Sequence, residues 1–264
     1  MQTLSADGVT AVLQGEAGGR IASLVVDGLE LLVTEADRPI DWGLFPMAPF
    51  AGRVRHGRIA FDGREHQLPL TLPPHAIHGT LVTRAWRDVA SGVVEVELDD
   101  PWPFAGRARH EVVLAADHLT ATLTVEADEP MPAWVGWHPW FRRRLGRGRR
   151  AGLTLPAGGM LVRDGESIPT GEVVPIPDGP WDDCFTDLAS PPSIEWAGAL
   201  TVEVESDCGY AVVFTEPLHG FCVEPQSAPP DALNLGLAPV AAPGAPVRAS
   251  MTLRWRRPTS FRRQ

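Results

Sequence analysis

The sequence contains no lysine: all 23 of its basic residues are arginine. A guanidinium stays protonated and forms no imine, so Schiff-base chemistry, pyridoxal-phosphate attachment and a P-loop lysine are excluded. Cysteine is scarce too. Cys184, Cys208 and Cys222 form an odd set with no C-x-x-C pair, which indicates neither a disulfide framework nor a zinc ribbon. Long apolar runs are missing, none reaching the about 18 residues that cross a membrane. The start, "MQTLSADGVTAVL", has neither the basic nor the apolar region of a signal peptide. These absences lead to the expectation of a cytoplasmic protein with no membrane partner. Excess positive charge is also lacking. The formal net charge of −10 argues against nucleic-acid binding, which needs cationic surface to neutralise phosphates. Two arginine-rich clusters dissent, "FRRRLGRGRR" at 141–150 and "RWRRPTSFRRQ" at 254–264. Both read as solvated loop or tail, although the first is close enough to His138 to meet an anionic group such as a sugar phosphate.

Helical periodicity and internal repeats are missing as well. What is present is alternation. "LTATLTVEA" at 119–127 places Leu119, Ala121, Leu123 and Val125 on one face and Thr120, Thr122 and Thr124 on the other. "VVEVELD" at 93–99, "TVEVESD" at 201–207 and "SMTLRW" at 250–255 share the period of two, which predicts half-buried antiparallel strands. Gly and Pro, 26 of each, are spread along the chain as turn punctuation. "AGGR" at 17–20, "VDGL" at 26–29 and "FDGR" at 61–64 read as hairpin turns. The expectation is an all-β chain, 1–264, folded as one large antiparallel β-sandwich domain.

Polar groups gather among Pro, Gly and aromatics in a few segments. "FPMAPFAGRVRHGRIAFDG" at 45–63 carries Arg53 and Arg55, two apart and so on one side of a strand. "PPHAIHGT" at 73–80 holds His75 and His78, which a strand would send to opposite faces, and no carboxylate–histidine motif joins them, so no metal site is expected. "WVGWHPWF" at 134–141 wedges His138 among aromatic rings, where a charged imidazole is disfavoured. "WDDCF" at 181–185 and "FCVEPQSAPPDALN" at 221–234 add Asp182, Asp183 and Glu224, the last read as emerging at a strand end just before Pro225. No G-x-S-x-G elbow is present, and Cys222 reads as buried filler. Rings beside carboxylates, histidine and arginine describe a carbohydrate site, where aromatics stack on the sugar's apolar face and charged groups take its hydroxyls.

Taken in order, these segments resemble the aldose 1-epimerase (mutarotase) family. "FPMAPFAGRVRHGRIAFDG" is similar to that family's P-x-x-N-R-I followed by G-x-F-x-x-[DN]-G, "IHGT" to its H-G motif, and "GWHPWF" to G-x-H-P-[YW]-F. "WDDCF" resembles D-[DHN]-x-F and "CVEPQSAPPDALN" resembles E-[PT]-Q-x-x-P-[DN]-A-x-N. The resemblance spans about 45–234 and implies a large antiparallel β-sandwich. It also implies a mechanism: Glu224 removes the proton from the C1 hydroxyl, and His138 donates one to the ring oxygen. Arg53, His78 and Asp182 fall where the family binds sugar hydroxyls, with Asp183 as the alternative to Asp182. Such an isomerase of carbohydrate metabolism consumes no net proton and requires no cofactor. Its partner is a small-molecule sugar, with the choice of aldose and of monomer or dimer left open. Gly52 departs from the family's usual Asn, which removes one hydroxyl contact. The alternatives are a hexose-6-phosphate 1-epimerase using arginines of 142–150, a catalytically silent sugar-binding β-sandwich, and glycoside hydrolysis by Asp182 and Glu224.

Overall fold

A strand with one apolar face must cover that face with a second layer, and here two antiparallel sheets cover each other. The computed structural model describes residues 1–258. Among these, the helical elements are two single 3₁₀ turns, Gly15–Ala17 and Arg55–Gly57. No helix is long and apolar enough to cross a membrane.

The eight-stranded sheet has the strands predicted from alternation near its centre. Val93–Leu98, Gly106–Leu114, His118–Ala127, Val247–Arg256 and Leu200–Ser206 lie side by side in that order. Thr122 and Thr124, expected on an open face, are buried. The segment 254–264 is not simply a tail. Arg254 and Arg256 belong to the Val247–Arg256 strand and meet Glu205 and Glu203, and Arg257 meets Asp27. Arg262 and Arg263 lie outside the described residues.

The eleven-stranded sheet has at its centre Leu44–Met47, Gly136–Phe141, Phe221–Gln226, Tyr210–Phe214 and Asp182–Thr186, again in spatial order. Alternation along Gly136–Phe141 sorts its large residues. Trp137 and Phe141 point between the sheets, Trp137 donating its indole N–H to His110 of the other sheet (3.2 Å) and Phe141 packing on Trp196. His138 and Trp140 point the other way, onto the outer face. That face is closed over by irregular chain, including the short Arg53–Val54 and Ala76–Ile77 ladder, so both sides of the strand are buried. The turns at 26–29 and 61–64 are tight two-residue hairpins, with Asp27–Gly28 and Asp62–Gly63 all at positive φ.

Candidate active site

Strand register brings two of the expected residues together. Gly136 pairs with Gln226 and Trp140 with Cys222, so His138 and Glu224, midway between, stand directly opposite each other. Pro139 and Pro225 lack the N–H groups that would continue the ladder there. Cross-strand neighbours have Cβ atoms about 5 Å apart, and the side chains close the remaining gap: His138 Nε2 lies 3.2 Å from Glu224 Oε1. Glu224 is therefore not at an exposed strand end, as expected from sequence. Its strand runs on through Pro225 to Gln226, and its side chain is 2% exposed.

The sheet supplies neighbours in rows. Glu224 pairs with Val212 on its far side, and one row along Asp182 pairs with Phe214, which pairs with Cys222. Alternation thus places Asp182 on the same outer face as the histidine and the glutamate, and Asp183 on the other. Arg53 Nη2 reaches Asp182 at 3.2 Å. Arg53, His78, His138, Asp182 and Glu224 all line one pocket of about 130 Å³, together with Trp140 and Phe214.

His138 is held by rings. Phe45 stacks on one side (4.7 Å between centroids) and Trp140 on the other (5.3 Å), with His78 edge-on at 4.8 Å. Trp140 is in turn fixed by its indole N–H donating to the Ile40 carbonyl (2.7 Å). The His78 position depends on close backbone packing. His78 and Gly79 both have positive φ, and a Cβ on Gly79 would lie 2.0 Å from the Ala48 carbonyl oxygen. Glycine is required there, which gives "HG" its physical reason. Gly52, also at positive φ, packs so closely on Pro230 that a Cβ would meet its ring at 2.7 Å. The departure from Asn at this position goes with that contact.

Burial sets the electrostatics. It pushes Glu224 well above the usual carboxylate range, helped by the Asp182 charge and opposed by Arg53 and the Gln226 amide. It lowers His138 to about 3 and holds His78 well below the usual imidazole range, where His138 and Arg53 add to the effect. Both members of the His138–Glu224 pair are therefore driven toward their uncharged forms, carboxylic acid beside neutral imidazole.

Among the described residues, His78 Nδ1, His138 Nδ1 and Gln226 Oε1 are buried polar atoms with no hydrogen-bond partner, and all three residues line this pocket. Buried groups are normally paired, so these three atoms hold hydrogen-bonding capacity that a polar ligand in the pocket can use. His138, Cys222 and Glu224 also offer potential metal-ligand atoms within 4.8 Å of one another. Burial, helped by the nearby Glu224 charge, raises the Cys222 thiol well above its ordinary range.

Other expectations change. Arg55 does not accompany Arg53, because the strand lasts only two residues before a 3₁₀ turn sends Arg55 to Asp164, Glu166 and Asp231. His75 is not in the pocket. Its Nδ1 accepts from the His56 N–H (3.1 Å), and its Nε2–H donates to the Glu166 carbonyl (3.0 Å). Three contributors were missed. Gln226 donates to Glu224 (3.3 Å), and its spacing of two along "EPQ" was a readable signal. Arg163 bonds both Asp182 (3.0 Å) and Asp183 (2.8 Å), and Arg38 pairs with Asp41 at the pocket wall. Nothing in their local sequence marks these arginines.

Known proteins resemble this chain in part of its sequence and in its architecture. Over 108 residues the chain is 33% identical to the uncharacterized protein YphB of Escherichia coli K12, a match that covers 38% of this chain and 37% of that protein. Among solved structures, the GalM/aldose epimerase homologue from C. elegans superposes with a TM-score of 0.83 at 15% identity, over 97% of this chain and 98% of that one. The galactose 1-epimerase of Lactobacillus acidophilus NCFM superposes with a TM-score of 0.79 at 16% identity, over 97% and 93%. At such identities these likenesses speak for the fold. The profile of the aldose 1-epimerase family matches residues 1–254, and the chain belongs to that family.

Proposed function

We propose that this protein is an isomerase that interconverts the α and β anomers of a free aldohexose by opening and reclosing the ring. The observation that carries the reading is the buried His138–Glu224 pair, 3.2 Å apart, in a pocket that also holds Arg53, His78 and Asp182. Ring opening needs a proton removed from the C1 hydroxyl and another delivered to the ring oxygen. Carboxylic acid beside neutral imidazole holds one proton between the two groups. Carboxylate beside imidazolium holds the same number, so a shift of that proton readies the pair without exchange with solvent. Glu224 then accepts the hydroxyl proton and His138 protonates the ring oxygen. Rotation about the C1–C2 bond turns the other face of the aldehyde toward the ring hydroxyl, and closure reverses both transfers. No net proton is consumed.

The remaining groups suit a sugar. Trp140 and Phe214 present apolar surface to a pyranose face. Arg53, His78 and Asp182 are disposed to bond its hydroxyls, with Asp182 held in place by Arg53 and Arg163. The experiment follows the optical rotation of freshly dissolved α-D-glucose and α-D-galactose. The protein is expected to speed relaxation to an unchanged endpoint, and Glu224→Gln to lower kcat by about 10²–10⁴. Relaxation at the uncatalysed rate with both sugars and with hexose 6-phosphates, alongside saturable sugar binding, would leave a silent sugar-binding protein.

A further inference from the structure

The stretch 141–150 carries Arg142, Arg143, Arg144, Arg147, Arg149 and Arg150. Arginines elsewhere commonly meet a carboxylate, as Arg55, Arg84, Arg109 and Arg254 do. Among the described residues, none of the six in this stretch forms a salt bridge. The backbone gathers several of them. Ala151 N–H donates to the Arg143 carbonyl (2.8 Å), which closes the loop on itself, and Arg149 N–H donates to the Ala197 carbonyl (3.0 Å), which ties the loop to the turn after Trp196. Arg142, Arg143, Arg144 and Arg150 then line a hollow of about 660 Å³ with His219, and Glu35 is the one carboxylate on its wall.

The four arginines divide into a frame and a free pair. Arg142 donates from Nε to the Leu32 carbonyl (2.6 Å), and Arg143 donates to the carbonyls of Thr215 (2.6 Å) and Pro217. Arg144 and Arg150 are exposed, and their side chains make no hydrogen bond among the described residues. Like charges held together on an otherwise acidic chain repel, and burial and the nearby Arg150 charge both lower the Arg143 guanidinium. An anion in the hollow relieves that repulsion and can take charge-assisted hydrogen bonds from the free guanidinium forks.

We propose that this hollow binds a phosphoryl anion at a site separate from the sugar pocket. The two cavities share no lining residue. Their boundary is the stack of His219 on Trp140 (4.6 Å), and Trp140 stacks in turn on His138. A ligand seated by the free arginines therefore lies behind the ring that positions His138, beyond the wall that closes the sugar pocket. The binding site stands on the arginine geometry alone and does not depend on the epimerase reading.

The test is calorimetric titration of the full chain with inorganic phosphate at low ionic strength, with sodium chloride at matched ionic strength as control. Saturable phosphate binding is expected, weakening as salt is added. Arg144→Gln/Arg150→Gln should weaken it by about 10-fold or more, since two charge-assisted donors are lost. Both residues are exposed, and an unchanged melting temperature will show the variant folded. A hexose 6-phosphate titrated in parallel distinguishes the sources. Binding equal to inorganic phosphate, with undiminished optical-rotation activity on free hexose, supports a separate anion. Binding that is tighter than inorganic phosphate and competes with free hexose would overturn the separation, because the phosphate would then belong to the sugar pocket's own ligand. Absence of saturable binding, or binding indifferent to the double variant, would overturn the site altogether.

Discussion

His110 and His138 are both buried, one in each sheet, and burial lowers both imidazoles, to about 4 and about 3 respectively. Their surroundings otherwise differ. On the inner face of the eight-stranded sheet, His110 Nδ1–H donates to the Gly19 carbonyl (2.8 Å), and Nε2 accepts from Trp137 (3.2 Å). Both ring nitrogens are used, the tautomer is fixed, and the ring joins the two layers. On the outer face of the eleven-stranded sheet, His138 turns Nε2 toward a buried carboxylate and leaves Nδ1 unpaired. Burial alone thus does not distinguish the histidine proposed to act on the sugar from one that serves the core. The contrast lies in hydrogen-bond satisfaction: a completed set holds a core together, and an incomplete one beside a titratable partner is available for chemistry.

Exchanging the two sites' fates is the most direct way to break this comparison. His138→Asn should lower kcat for anomer exchange by about 10²–10⁴ and leave the melting temperature nearly unchanged, as read by optical rotation and thermal denaturation. If instead it unfolds the protein at full specific activity of the folded fraction, the assignment is reversed. His110→Ala should do the opposite. It strands the Gly19 carbonyl and the Trp137 N–H and opens a cavity, at a cost of about 2–4 kcal/mol, with kcat retained.

The pH dependence sharpens the same contrast. The folded state holds His110 neutral down to about pH 4, whereas the unfolded chain takes up a proton near pH 6.5. Its contribution is therefore present above pH 6.5 and lost as the pH falls through 4, on the order of 3 kcal/mol in all. Urea denaturation between pH 4 and 7 should show a shallower slope in His110→Ala. A smaller effect concerns the other site. The Asp182 charge raises Glu224, so Asp182→Asn should move the alkaline limb of the kcat profile to lower pH. It should also raise KM by loss of a sugar contact. A KM change with an unmoved limb would mean that Asp182 binds without tuning the base.

Much of the sandwich was legible in local pattern. Alternation at 93–99, 119–127, 201–207 and 250–255 corresponds to strands in the eight-stranded sheet, because side chains of a strand alternate regardless of what they pair with. The Asp-Gly turns were legible for a similar reason, since positive φ at both positions is a local requirement. Five of the residues that line the pocket, Arg53, His78, His138, Asp182 and Glu224, were nameable through their ordered motifs. Their arrangement was not. Glu224 read as an exposed strand end because a proline follows it, and only the central position of its strand, between Gly136–Phe141 and Tyr210–Phe214, makes it a buried group. Arg55 read as a companion of Arg53 because nothing in "RVRHG" announces that the strand stops after two residues.

The sequence by itself determined which chemistry was available: no side-chain amine, one imidazole among rings, carboxylates and arginines spread over nearly two hundred residues. It also determined the all-β layering, through the period of two. Tertiary structure decided proximity. The opposition of His138 and Glu224 comes from a register shared by strands 86 positions apart, and the Arg53–Asp182 contact joins residues 129 apart. Register is set cooperatively by the whole sheet, and desolvation by everything packed over it. Neither the pairing of this histidine with this carboxyl group nor the direction in which burial shifts them is therefore written in any one segment.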